Sequence, residues 1–106
     1  MNEAFDTGEQ PKGAYVFRLY LAGGAPNSVR AFANLYALCR KHFPGSHRID
    51  VIDVLKEPLR ALADAILVTP TVVKLSPLPA QQIIGDLSEE EAVLRALGLP
   101  QKEQTQ

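Results

Sequence analysis

The side chains able to do chemistry in this sequence are few and do not converge. Cys39 is the one cysteine, so it has no partner for an intramolecular disulfide. One thiol with the scattered His42 and His47 also falls short of the four ligands a structural zinc takes. Thiol–disulfide exchange needs a thiolate at a helix N-terminus, where the dipole lowers its pKa. Cys39 instead falls about three turns into a helix that opens at Pro26, on its apolar side, where free cysteine behaves as a small hydrophobe. Ser28, at the start of that helix, suits either capping or stabilising the thiolate of a bound thiol such as glutathione; capping is expected. His42 and His47 flank a Pro44-Gly45 turn with no acidic neighbour in sequence and read as surface histidines. Asp50 and Asp53, three apart on a strand, point to opposite faces and cannot act as a carboxylate pair. Glu89-Glu90-Glu91 opens a helix and complements its positive end, which accounts for the run without a ligand. No cofactor is expected.

Seven elements must position these residues. Tyr15 to Ala22 is a nearly unbroken aromatic and apolar run, the pattern of a central strand covered on both faces. Gly23-Gly24 break it, and Pro26-Asn27-Ser28 open a helix in which Val29, Phe32, Tyr36, Cys39 and Phe43 recur at spacings of three and four, an expected inward stripe. Arg40, Lys41 and His42 suit the negative end of that helix, and Phe43-Pro44-Gly45 ends it. Arg48 to Val54 is a second strand. Pro58 starts a short helix expected to carry Leu59, Leu62, Ala63 and Ile66 inward. Thr71–Leu75 and Gln81–Gly85 form an antiparallel pair joined by a proline-rich link. Ser88 and Glu91 have capping-box spacing and begin a last helix, stopped by Gly98 and Pro100.

The resulting order is βαβαββα around a mixed central sheet, which is the thioredoxin-like order of an α/β domain. Two places in that fold carry redox chemistry. The loop before the first helix, here Gly23 to Ser28, holds no sulfur. The residue before the third strand is usually a cis-proline, and Thr69-Pro70-Thr71 makes Pro70 the candidate, with an architectural role.

With 106 residues, 46% of them apolar and 22% charged, the chain suits one globular domain. Residues 14–99 form it, 1–13 are expected to be a flexible extension and 100–106 a frayed tail. A net charge of −1 and a pI near 6.1 give no electrostatic footprint for nucleic acid. No apolar run approaches the roughly 20 residues that span a bilayer, the N-terminus lacks a signal-peptide pattern, and the cytoplasm is the expected compartment.

Five blocks in order, Leu19-Tyr20-Leu21-Ala22-Gly23, Pro26-Asn27-Ser28-Val29-Arg30-Ala31, Val51-Ile52-Asp53-Val54-Leu55-Lys56, Thr69-Pro70-Thr71 and Ile83-Ile84-Gly85-Asp86-Leu87-Ser88, resemble the KaiB family from Tyr15 to about Leu99. The resemblance implies a non-catalytic clock or clock-derived protein. Such a protein binds the ring of KaiC, a RecA-type ATPase, and alters its phosphorylation cycle, with KaiA or a histidine kinase of the same pathway as further partners. It implies partner contacts at the family's basic positions Arg30, Lys56 and Lys74, which project from otherwise apolar elements, and structural roles for Gly85 and Asp86. It also implies homo-oligomers, dimer or tetramer, and a second family fold in which the C-terminal half is rearranged. The chain departs from the family pattern at Gln81-Gln82, where many members have a basic pair, and at Ala65, often a lysine. It departs again at Arg95-Ala96-Leu97-Gly98-Leu99, whose helix-forming and helix-stopping residues favour the thioredoxin-like fold.

Overall fold

The computed structural model describes residues 14–99, so the extension and tail expected at 1–13 and 100–106 lie outside the described residues. The elements are β1 (Tyr15–Leu21), α1 (Pro26–His42), β2 (His47–Asp53), α2 (Pro58–Ala63), β3 (Thr71–Ser76), β4 (Gln81–Ile84) and α3 (Glu90–Ala96). The sheet order is β2-β1-β3-β4. β1 runs parallel to β2, with Leu19 opposite Val51, and antiparallel to β3, with Leu19 opposite Val72. β4 closes the sheet antiparallel to β3. This is the thioredoxin-like α/β architecture that the element order implied. The Thr69-Pro70 bond is cis, as expected, and so are Ser76-Pro77 and Leu78-Pro79. Among the described residues no helix is long and apolar enough to cross a membrane.

One core dominates. Alternate residues of β1, Phe17, Leu19 and Leu21, point to the face covered by α1 and α3 and meet Leu35, Cys39, Val93 and Leu97. The opposite side chains, Arg18 and Tyr20, lie under α2, where the Tyr20 hydroxyl donates to Asp64 at 2.7 Å.

The inward stripe of α1 is one residue out of phase with the expected one. Ser28, Ala31, Leu35, Leu38 and Cys39 are buried, whereas Val29 is 54% and Phe32 42% exposed. Both stripes are apolar, and the one with small residues in its first turns lets the helix approach the sheet. Ser28 decides the phase: its Oγ accepts the Ala22 N–H at 3.0 Å, fixing the β1–α1 link. The cap is Ala25, without a side-chain bond, so Ser28 is not a capping serine.

α3 also starts differently. Its N-cap is Glu89 and carries no side-chain bond, so Ser88 and Glu91 form no capping box. Leu87, buried and left-handed at φ 65°, precedes Ser88, and the helix begins one residue later than a capping box at Ser88 would place it, which leaves Ser88 outside. Asp86 does the local work instead, its Oδ1 accepting the Ser88 N–H at 3.0 Å. The stop is as expected. Gly98 takes φ 65°, its N–H reaches Arg95 O at 3.1 Å, and Leu99 N–H reaches Leu94 O at 2.8 Å, the paired bonds of a left-handed C-terminal cap.

Candidate partner interface

Among the described residues the segment from Val54 to Thr69 is the most exposed, and several hydrogen bonds fix its course. Asp53 Oδ1 accepts the N–H groups of Gly23 and Leu55, each at 3.0 Å, and Val54 N–H donates to Leu21 O at 2.8 Å. Gly23 sits at φ +53°, and a Cβ there would lie 3.2 Å from Leu55 Cδ1, so glycine permits both the turn and the close approach of Leu55. Pro58 opens α2, and Ala65, left-handed at φ 60°, follows its end. The Ile66 N–H returns to Ala61 O at 2.9 Å. Thr71 Oγ1 donates to Val68 O at 2.8 Å, which pins the far side.

This frame presents a leucine surface. A helix of six residues buries only Ala61; Leu55, Leu59, Leu62 and Leu67 are 70%, 78%, 72% and 90% exposed. The expectation that Leu59, Leu62 and Ala63 face inward is therefore corrected, and Ile66, half-buried, lies in the loop beyond α2. Under two turns of helix can turn only a narrow face to the sheet. Between α2 and the loop before β3 opens a pocket of about 310 Å³ lined by Val54, Pro58, Ala61, Leu62, Ile66 and Val68. Leu62 and Leu67 share the lining of this pocket, and exposed apolar patches are a usual feature of interaction sites. Sequence reading missed this surface, although the short interval between Pro58 and Pro70 carries too many leucines for so brief a helix to cover.

The three basic positions separate. Lys56 is exposed, stands between Leu55 and α2, and has no ion-pair partner among the described residues. Arg30 belongs to another cluster: its Nε lies 3.3 Å from Asp86 Oδ2 and its guanidinium also bonds Asn27, while Asn34 donates to Asp86 O at 2.8 Å. Lys74 is corrected outright. It is 2% exposed, and its Nζ donates to Pro77 O at 2.7 Å; the strand turns this side chain into the α1/α3 face, so no partner can reach it. Gly85 and Asp86 have structural work: Gly85, at φ 128°, donates its N–H to Pro70 O at 3.0 Å. Hydrogen bonds from Ser88, then the Arg30 guanidinium, hold the Asp86 carboxyl below its usual range.

None of the candidate chemical groups converges on a reacting centre. Burial pushes the Cys39 thiol up to about 12, which removes its thiolate at neutral pH. The hydroxyl of Ser28, 1% exposed, is committed to Ala22. His42 is corrected from a surface histidine without an acidic partner, because α3 brings Glu90 to 2.5 Å of its Nε2, with Lys41 at 3.1 Å on the same carboxylate. Bonds from His42 and then Lys41 hold Glu90 below its usual range, so this glutamate clasps α1 to α3 in addition to facing the dipole. His47 bonds Phe43 O at 2.8 Å.

Comparison with known proteins gives one family. The model for the KaiB domain matches residues 18–99. The circadian clock oscillator protein KaiB of Synechococcus elongatus is 49% identical over 89 residues, covering 84% of this chain and 87% of that protein. Among solved structures, the N-terminal domain of Synechococcus elongatus SasA superposes with a TM-score of 0.65 at 20% identity, over 87% of this chain and 90% of that one. Chloroplastic thioredoxin z superposes at 0.67 with 18% identity, over 82% and 78%. At such identities both likenesses speak to the fold alone.

Proposed function

The chain belongs to the KaiB family, and from that premise we propose that it is a non-catalytic clock protein that docks the leucine surface around α2 on the ring of a KaiC-like RecA-type ATPase and alters its phosphorylation and ATPase cycle. The observation that carries this reading is the exposure of Leu55, Leu59, Leu62 and Leu67 on a segment whose backbone is held by hydrogen bonds from Val54 through Ile66. Rigid apolar anchors cost little ordering entropy on binding, and a central apolar cluster supplies most of the energy of an interface. Lys56, unpaired at its rim, adds attraction to an acidic partner surface and speeds encounter. Arg30 serves the same interface only indirectly, by holding Asp86 and the loop before α3.

KaiA or a histidine kinase of the same pathway, and assembly into dimers or tetramers, are the further associations that family membership suggests. The left-handed stop at Gly98 and the Glu90 clasp support the thioredoxin-like fold over the family's second one. Binding of the purified chain to the KaiC-like ATPase, followed by fluorescence anisotropy, tests the reading. Leu62→Glu with Leu67→Glu should abolish binding, Lys56→Glu should weaken it and reduce its salt dependence, and Cys39→Ser should leave it intact. Unchanged affinity in the double glutamate variant rejects the docking face.

A further inference from the structure

The sheet ends in two open edges, and only one of them is defended. β2 carries four ionisable side chains in seven residues, His47, Arg48, Asp50 and Asp53, the usual protection against pairing with another strand. β4, Gln-Gln-Ile-Ile from Gln81 to Ile84, carries none and contains no proline. Half of its backbone groups are used. The Gly85 N–H turns inward to Pro70 O, and successive residues of a paired strand alternate in the direction of their N–H and C=O groups. Ile83 and Gln81, in phase with Gly85, therefore bond β3, while Gln82 and Ile84, both exposed, direct theirs outward.

Beside this edge a groove of about 230 Å³ lies between β4 and α3. Ile83, Ala92 and Val93 line it, together with the carboxylates Asp86 and Glu89, and among the described residues no basic side chain does. Arg30 engages Asp86 from α1. Glu89 is exposed and has no ion-pair partner among the described residues.

We propose that β4 is a docking edge for an extended, apolar segment of another protein that carries a lysine or arginine two positions from the side chain it seats in the groove. The outward groups of Gln82 and Ile84 are a template for one more strand, and main-chain bonds of this kind supply affinity while flanking pockets select side chains. Residues two apart on that strand fall on the same face. One meets the apolar lining at Ile83, Ala92 and Val93, and the next brings its cation to Glu89. A second copy of this chain does not meet the requirement, because its own β4 offers no cation and leaves Glu89 unanswered.

Titration of the full chain with a capped Thr-Lys-Val-Val-Val-Thr peptide, with amide exchange read residue by residue by NMR, tests this separately from the α2 surface. The peptide should protect the outward Gln82 and Ile84 amides and shift the resonances of Ile83, Ala92 and Val93. Glutamate in place of its lysine should weaken binding by about fivefold, the scale of exposed ion pairs. Glu89→Lys should weaken the lysine peptide to a similar extent and favour the glutamate one. Ile84→Pro removes an outward donor and leaves the ladder to β3 in place, so it should abolish binding with an unchanged circular dichroism spectrum. Leu62→Glu with Leu67→Glu should bind the peptide as the wild type does. The proposal is overturned by a β4 left unprotected in large peptide excess, by equal affinity for the two peptides, or by protection at residues 55–68 instead. Protection of Gln82 and Ile84 that rises with chain concentration in the absence of peptide would give the edge to a second copy and overturn it as well.

Discussion

On the α1/α3 face of the sheet, Phe17, Leu19 and Val72 meet Ala31, Leu35, Val93 and Leu97, each at 2% exposure or less. On the α2 face, one helical residue, Ala61, is buried, and the end of the helix is fastened instead by Tyr20 to Asp64 and by the looser Arg18 pair with Asp64 at 4.0 Å. Burial and the hydrogen bond to Asp64 raise the Tyr20 hydroxyl above its ordinary value, so it remains a donor across the physiological range. The first face supplies the close-packed contacts that fold the domain. The second needs few of them and therefore has leucines to spare. On the proposed reading, stability and partner binding are carried by opposite sides of one sheet, and substitutions can separate them.

The largest effect should come from the packed face. Leu35→Ala removes a fully buried side chain from between α1 and the sheet and should cost about 2–5 kcal/mol of unfolding free energy, read from urea denaturation. A loss as small as that of an exposed leucine would break the comparison. Next in size is Gly98→Ala. Its φ of 65° is left-handed, and a Cβ there would collide with the Gln81 side chain, so the substitution should cost about 1–2 kcal/mol and loosen α3 before the rest of the domain in amide exchange.

A smaller effect is pH dependence. Asp86 and Glu90 have lowered carboxyl pKa values in the folded chain, so the unfolded chain takes up protons first as acid is added. Their stabilisation is complete above the ordinary carboxylate range, about pH 4, and is lost as pH falls through the folded values. The urea midpoint should therefore drop on acidification, and Asp86→Asn and Glu90→Gln should flatten that drop. The smallest effect belongs to the open face. Leu62→Glu should change stability by no more than about 0.5 kcal/mol, with its consequence confined to binding; a large loss of stability would show that α2 is packed after all.

Much of this was legible in the sequence, and the failures share one cause. The βαβαββα order, the cis bond at Pro70, the buried Cys39 and the stop at Gly98 are set by local chemistry: apolar runs, proline, a mid-helix position, a left-handed glycine. The facing of α1 and α2 is not. Val29-Phe32-Tyr36 and Ser28-Ala31-Leu35 are neighbouring apolar stripes on one helix, and only contact with the sheet selects the second. Long-range pairs were hidden for the same reason: His42 meets Glu90 across 48 positions of chain, and Arg30 meets Asp86 across 56. Lys74 shows the limit of reasoning from family positions, since the residue type is retained while its side chain is spent inside on Pro77 O. The leucine surface was the most instructive miss, because the apolar character was visible and its burial was assumed.

The central claim is that the α2 side of the sheet is the docking face, and amide hydrogen exchange of the chain alone and bound to the KaiC-like ATPase tests it most directly. The account predicts new protection from Leu55 to Val68, centred on α2 and the loop before β3, with the buried stripe of α1 from Ala31 to Cys39 unchanged. Protection elsewhere on the chain, with residues 55–68 exchanging as they do in the free protein, would contradict it.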